Sequence, residues 1–206
     1  DAPALKLVLD FGGNAENTEI TISNIVLKDH ANDDGTVLPP EEPEQPEAPV
    51  TWVDDANLWT AATYTTEFWY APGWAQIADP EFVESDKDFT VTFPTATTDQ
   101  WQAQVKLHSD ITTSAEKQYD FRIVMNSTTD IAGATVKLVL SGGGDNDNVY
   151  YMAERVPLTA YDDCEFKWVN MPGIDMDKVS LVLDFGGCGD NTVVNVSKIH
   201  LQEHHE

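Results

Sequence analysis

The sequence predicts an all-β protein, an antiparallel β-sandwich, from three observations. Short stretches of strict period-2 alternation recur through residues 51–203. Gly, Pro and Asn clusters punctuate them at turn-like intervals. No stretch repeats its apolar residues at the 3.6-residue period of a helix. Alternation puts every second side chain on one face of a strand. Many short strands with regular turns bury those faces by stacking one sheet on another.

The first element is one half of a repeat. Leu5–His30 (LKLVLDFGGNAENTEITISNIVLKDH) aligns without a gap to Val179–His204 (VSLVLDFGGCGDNTVVNVSKIHLQEH), with 13 of 26 positions identical. Each copy reads as a β-hairpin: an apolar strand, a Gly-Gly loop, then an alternating strand (Ile20, Ile22, Ile25, Leu27 against Val194, Val196, Ile199, Leu201). A lone hairpin is barely stable in water, so neither copy is a domain by itself. Residues 1–28 therefore read as the closing hairpin of a preceding sibling module, and residues 51–203 as a complete module. Residues 29–50 hold five prolines and seven acids, the composition of an extended, semi-rigid linker. An alternative place for residues 1–28 is strand exchange with a neighbouring molecule or an exposed sheet edge.

Within 51–203, seven large aromatics crowd into Trp52–Trp74, and TTEFWYAPGWAQ reads as a loop with Pro72-Gly73 forcing a turn. Several rings on one loop cannot all be buried, so at least one of Trp69, Tyr70 and Trp74 is expected at the surface. Asp88–Pro94 alternates with Phe89, Val91 and Phe93 on one side. Gln100–Leu107 reads as a strand with Trp101, Ala103, Val105 and Leu107 on one face and Gln100, Gln102, Gln104 and Lys106 on the other. Tyr119–Met125 puts Tyr119, Phe121, Ile123 and Met125 inward and Asp120, Arg122 and Val124 outward. Thr135–Leu140, Val149–Ala153, Cys164–Val169 and Val179–Phe185 complete the series, with turn signals at Gly133, 141–148, Pro157 and Pro172-Gly173.

Composition narrows the function classes. There are 11 Lys+Arg against 36 Asp+Glu, a formal charge of −25. Such a chain repels phosphate backbones and anionic lipid, so nucleic acid is excluded as a partner. The apolar stretches are strand-sized, which excludes direct membrane insertion by a helix. A hydrophobic content of 41% is too high for a disordered protein. Neutral polymers and small neutral molecules remain. Cys164 and Cys188 show no metal-ligand spacing, so they are either a disulfide or two packed thiols. The GGGDNDN stretch lacks EF-hand spacing and reads as a turn. No GxSxG, HExxH, P-loop or GxGxxG is present.

The outward faces point to a ligand. Amide and guanidinium groups exchange hydrogen bonds with sugar hydroxyls, and flat rings cover the apolar faces of pyranoses. Rows of Gln and Arg flanked by Trp and Tyr offer both. A solvated sheet face explains any single Gln equally well.

The order of an aromatic-rich opening, TVTFP, DQWQAQVKL, KQYDFRIVMNS, TVKLVLSG and the closing LVLDFGG segment resembles the β-sandwich carbohydrate-binding modules of the family four, nine and twenty-two group, as found in xylanases and other glycan-degrading proteins of gut Bacteroidetes. The resemblance implies a jelly roll whose concave face binds one β-linked polysaccharide or oligosaccharide chain, xylan or a β-glucan, without catalysis. It implies an extracellular or cell-surface setting. It maps an amide row to Gln102 and Gln104, a groove arginine on the next strand to Arg122, and rim aromatics to Trp69, Trp74 and Tyr150. It implies no cofactor. The family's structural calcium is doubtful here, because the Asp pair of the closing strand is replaced by Asn195-Val196-Ser197-Lys198. Two alternatives stay open: a glycan-active hydrolase or lyase on the same jelly roll, and a structural or adhesive sandwich.

Overall fold

The computed structural model describes residues 50–140, 149–175 and 178–205. The chain divides into two units, Asp1–Pro49 and Val50–Glu206. The expectations for residues 1–28, for the linker and for the GGGDNDN turn lie outside the described residues.

The second unit is an antiparallel β-sandwich of ten strands. They are β1 (Tyr64–Tyr70), β2 (Glu81–Ser85), β3 (Asp88–Phe93), β4 (Ala103–Ser109), β5 (Gln118–Ser127), β6 (Ile131–Leu140), β7 (Val149–Leu158), β8 (Cys164–Pro172), β9 (Val179–Asp184) and β10 (Thr192–Glu203), preceded by one helical turn, α1 (Leu58–Ala61). One sheet, here called the front sheet, runs β1-β4-β9-β6-β7; the back sheet runs β2-β3-β10-β5-β8. The chain passes repeatedly from one sheet to the other, the habit of jelly rolls.

The inward faces follow the alternation in the sequence. Phe89, Val91 and Phe93 of β3 and Tyr119, Phe121, Ile123 and Met125 of β5 are all buried. Across from them lie Val105 and Leu107, Val136 and Leu138, and Leu181, Leu183 and Phe185 of the front sheet. Each such side chain contributes about 1.5–3 kcal/mol by leaving water. Tyr70 and Phe93 meet at 5.4 Å and Phe93 and Phe185 at 6.2 Å, so rings tie the two sheets together.

Four expectations need correction. First, the closing repeat segment is not a hairpin. β9 lies in the centre of the front sheet between β4 and β6, and β10 in the centre of the back sheet between β3 and β5. The Gly-Gly loop is the bend of an arch that changes sheets. Alternation cannot tell a hairpin from an arch, because both bury every second side chain. Second, residues 100–102 are a 3-10 turn, not strand. The Asp99 side chain accepts from the turn's third backbone N–H, and Gln102 Oε1 accepts from Asp99 N at 3.0 Å. This reciprocal cap satisfies donors that a strand would have paired sideways. Third, Trp69 and Tyr70 sit on β1, not on a loop; the loop starts only at Ala71. Fourth, Gly133 and Pro157 are not turns. Gly133 sits where the β6–β7 register shifts, and Pro157 lies in edge strand β7, where a missing N–H costs no ladder bond. Cys164 and Cys188 are free thiols.

A strap of residues 51–57 lies against β10 of the back sheet, and α1, which follows it, buries Trp59 in the core. Gln202, fully buried on β10, donates from Nε2 to Thr51 O (2.9 Å), and its Oε1 accepts from Val53 N (3.0 Å) and from His200 Nε2 (2.9 Å). Asn57 donates to Ile199 O and accepts from Leu201 N. Trp52 meets His200 edge-on at 5.2 Å, and the Arg122 guanidinium lies 4.6 Å over the Trp52 ring. Burial holds the His200 imidazole below its usual range. Its bond to Gln202 opposes that shift and the charge of Arg122 adds to it. A histidine depressed in the fold charges more readily when unfolded. Stability is therefore full above the unfolded value, about 6.5, and is lost as pH falls toward the folded value. Urea melts between pH 7.5 and 5 should show that loss, and His200→Gln should flatten it; an unchanged slope in the variant assigns the effect to another group.

Candidate functional site

The outward face of the front sheet gathers the groups with binding chemistry. Strand pairing aligns Trp69 with Gln104, Gln104 with Asp184, and Asp184 with Thr135. Paired residues point to the same side, so these four form a row across β1, β4, β9 and β6, about 14 Å long at the usual strand spacing. The next row is Glu67, Lys106, Val182 and Lys137; the third is Thr65, His108, Ser180 and Val139.

The floor is polar and paired. Gln104 Nε2 donates to Asp184 Oδ1 at 2.8 Å, and Lys137 Nζ lies 2.9 Å from Asp184 Oδ2. Asp184, Gln104 and Lys137 are 1%, 3% and 4% exposed. Thr135 Oγ1 is buried beside them without a hydrogen-bond partner among the described residues. A buried ion pair needs further hydrogen bonds to offset desolvation, which Gln104 supplies here.

Around that floor exposure varies: the Glu67 side chain is 58% exposed, His108 26% and Lys106 15%, while Ser180 is buried. Lys106 Nζ lies 3.2 Å from Glu67 Oε1, and His108 Nε2 lies 3.3 Å from Glu67 Oε2. His108 Nδ1 is 2.9 Å from Ser180 Oγ. Partial burial alone would raise the Glu67 carboxyl. The hydrogen bond and charge of Lys106, and then those of His108, outweigh burial and hold Glu67 below the usual carboxylate range. Trp69 is 36% exposed at the rim. At the far end of β1 and β4 a cavity of about 310 Å³ is lined by Thr63, Tyr64, Thr65, His108, Ser109, Asp110 and Lys178. From Thr65 to Trp69 is four residues of strand, about 13 Å.

The rim continues past β1. Trp74 stands 70% exposed in the turn Pro72–Trp74 and meets Trp101 edge-on at 5.1 Å. Its φ is +74°, a conformation costly for an indole-bearing residue. Trp101 was expected to share the inward face of Ala103; its 3-10 turn instead leaves it half-buried against Trp74.

The residues singled out from sequence do not all meet. Trp69 and Gln104 are neighbours on the front face, and Trp74 belongs to the loop that follows β1. Gln102 is 1% exposed, and its Oε1 accepts from Thr98 N (2.8 Å) as well as Asp99 N, so it is a cap and not a groove amide. Arg122 is on the opposite outward face. Its strand pairs with β10 and β8, not with β4, and its guanidinium covers Trp52 under the strap. The alternation found the outward positions correctly but could not assign them to a sheet. Tyr150 lies on β7, and its side chain is outside the described residues. Glu67, His108, Asp184 and Lys137 escaped the sequence reading, and Lys106 entered it only as an outward residue of the Gln100–Leu107 stretch. Lys106, Lys137 and Asp184 each sit between two inward apolar residues on the chain, whereas Glu67 and His108 have Thr66 and Ser109 on one side.

Comparisons with known proteins give a class of likeness at the level of backbone arrangement. No family model matches the sequence, and no curated protein matches it. Among solved structures the chain is similar to a CBM4 carbohydrate-binding module (TM-score 0.47, 19% identity, over 68% of this chain and 86% of that one). It is similar to TmCBM61, solved in complex with β-1,4-galactotriose (0.46, 8%, 74% and 98%). It is similar to the N-terminal cellulose-binding domain of β-1,4-glucanase C from Cellulomonas fimi (0.41, 15%, 69% and 90%).

Proposed function

We propose that this chain binds a β-linked polysaccharide, xylan or a β-glucan, without acting on it chemically, in an extracellular or cell-surface setting. One observation carries the reading. The half-exposed Trp69 ring stands on the same strand face as the Glu67–Lys106–His108 network, with a polar cavity about 13 Å further along. A ring gives a pyranose an apolar platform. Carboxylate, ammonium and imidazole groups held in fixed geometry accept from and donate to its hydroxyls. The Gln104–Asp184–Lys137 floor fixes the strands that present them. Ligand orientation by a few placed polar groups beside an apolar surface is the general pattern of small-ligand sites.

Binding is favoured over hydrolysis by the state of Glu67. A general acid at neutral pH needs a raised carboxyl, whereas Lys106 and His108 keep this one lowered and ionised. The strong negative charge suits neutral chains better than acidic ones.

Trp69→Ala tests the reading by affinity electrophoresis through gels holding soluble xylan, barley glucan, laminarin or mannan. The parent chain should be retarded in the first two. The variant should lose at least about tenfold in affinity, as truncated ring anchors do, with a melting temperature near that of the parent. Equal migration of both proteins in every gel removes glycan binding. Loss of several degrees with retardation kept returns Trp69 to a packing role.

A further inference from the structure

The cavity at the far end of β1 and β4 differs in kind from the surface around Trp69. Its volume, about 310 Å³, is at the small end of the range for ligand pockets, so it encloses a unit of a chain and not a long run of units. Its walls are fixed before any ligand arrives. Thr63 N donates to Asp110 Oδ1 at 3.0 Å, Thr63 Oγ1 donates to Asp110 Oδ2 at 2.5 Å, and Asp110 N donates back to Thr63 O at 3.1 Å. Ser109 Oγ donates to Val179 O at 2.5 Å and accepts from Ile111 N at 3.2 Å. Such bracing removes ordering costs from a binding event. Besides the His108 imidazole, the one ring on these walls is Tyr64, and it is already engaged. It stacks on Trp59 at 5.5 Å, donates to Glu84 Oε1 at 2.5 Å and lies 4.8 Å under the Lys87 ammonium. The groups left over are polar. Lys178 Nζ and the Thr65 hydroxyl have no hydrogen-bond partner among the described residues. Asp110 keeps lone pairs beyond the two that Thr63 uses, and the Thr63 bonds hold its carboxyl below the usual range, ionised at neutral pH.

We propose that this cavity receives a terminal sugar of the glycan, held through neighbouring free hydroxyls by Asp110, Lys178 and Thr65. The inference rests on the glycan-binding reading and names the part of the ligand that this end of the face recognises. An ionised carboxylate only accepts and an ammonium only donates. Two adjacent hydroxyls satisfy both, one donating to Asp110 and the other accepting from Lys178, and bonds to ionised groups are the stronger class. The Thr65 hydroxyl serves in either role. An internal unit of a chain needs a path on both sides and gains most from a ring beneath it, which Trp69 offers about 13 Å away along β1. A terminal unit needs a single path, and its extra free hydroxyl is what a charged pocket without an open ring face distinguishes. A charged sugar fits less well, because an anion meets Asp110 and a cation meets Lys178. Two sources supply the same terminal unit: the end of the main chain, and a single-sugar branch on it.

Calorimetric titration of the full chain tests this with two parallel ligand sets. One is linear xylan, arabinoxylan and xylotetraose; the other is barley glucan, xyloglucan and cellotetraose. Each set holds a linear polymer, a branched polymer and a short chain rich in ends. Within the set that binds, the parent should prefer one of the last two over the linear polymer by about tenfold, the scale of a hydrogen bond to a charged group. Preference for the branched polymer assigns the cavity to a branch, and preference for the short chain assigns it to a chain end. Lys178→Met and Thr65→Val should each bring that ratio toward one, with melting temperatures near that of the parent. Trp69→Ala should weaken all three ligands and leave the ratio standing. Equal parent affinity for all three, or a preference that neither cavity variant moves, overturns the inference while glycan binding itself persists. No binding to any of the six ligands overturns both.

Discussion

Gly186→Ala is expected to remove a large part of the stability of the sandwich. The added Cβ would meet Asp99 O at 1.9 Å, Gln100 O at 2.4 Å and Gln100 C at 2.6 Å, all backbone atoms that no rotamer change can move. Gly186 N donates to Gln100 O, and the same turn is closed by Gln102 N donating to Asp99 O. Displacing it would break the cap built by Asp99 and Gln102 and pull the bend of the arch away from both sheets. The cost should exceed about 4 kcal/mol, in the range reserved for buried steric conflict, against a total of roughly 5–15 kcal/mol. Guanidinium titration followed by tryptophan fluorescence checks this. A midpoint within 0.3 M of the parent, roughly 1 kcal/mol at the slopes usual for this denaturant, would show that the 99–102 turn can move aside.

Lys137→Met should cost about 3–5 kcal/mol, because it removes one partner of a buried pair and leaves the other charged. Asp184 would keep the Gln104 amide but lose the Lys137 ammonium, in a site that is 1% exposed. The carboxyl should then be driven toward its neutral form, so the variant should recover part of its stability at low pH. The double variant Lys137→Met with Asp184→Leu removes both charges and should be markedly more stable than Lys137→Met alone. Denaturant melts at pH 7 and pH 4 measure each step. If the single variant matches the parent at pH 7, the ammonium is not what balances Asp184.

The fold was legible where one face of a strand is fully apolar. Phe89, Val91 and Phe93, and Tyr119 through Met125, declare their inward side in the sequence and keep it in the structure. Legibility fails where the deciding partner is remote. Gln102 looks like part of an amide row because its neighbours alternate; what captures it is Asp99 and Thr98, which end the strand pattern before it begins. Arg122 and Gln104 look like residues of adjacent strands, yet the chain changes sheets between them. The site was half legible. Trp69 stood out as a ring in an aromatic cluster. The Glu67–Lys106–His108 network did not, because its members are separated by up to 41 positions and meet only through the β1–β4 register.

The crossing of β9 into β10 also sets when this sandwich can close during synthesis. Until that segment leaves the ribosome, β4 has no neighbour on its inner side, β3 and β5 are held apart, and each sheet exists as two separate pairs. The nascent chain therefore exposes four half-built edges up to its final strands, and the ladder bonds of both sheets form together when the last segment slots between them.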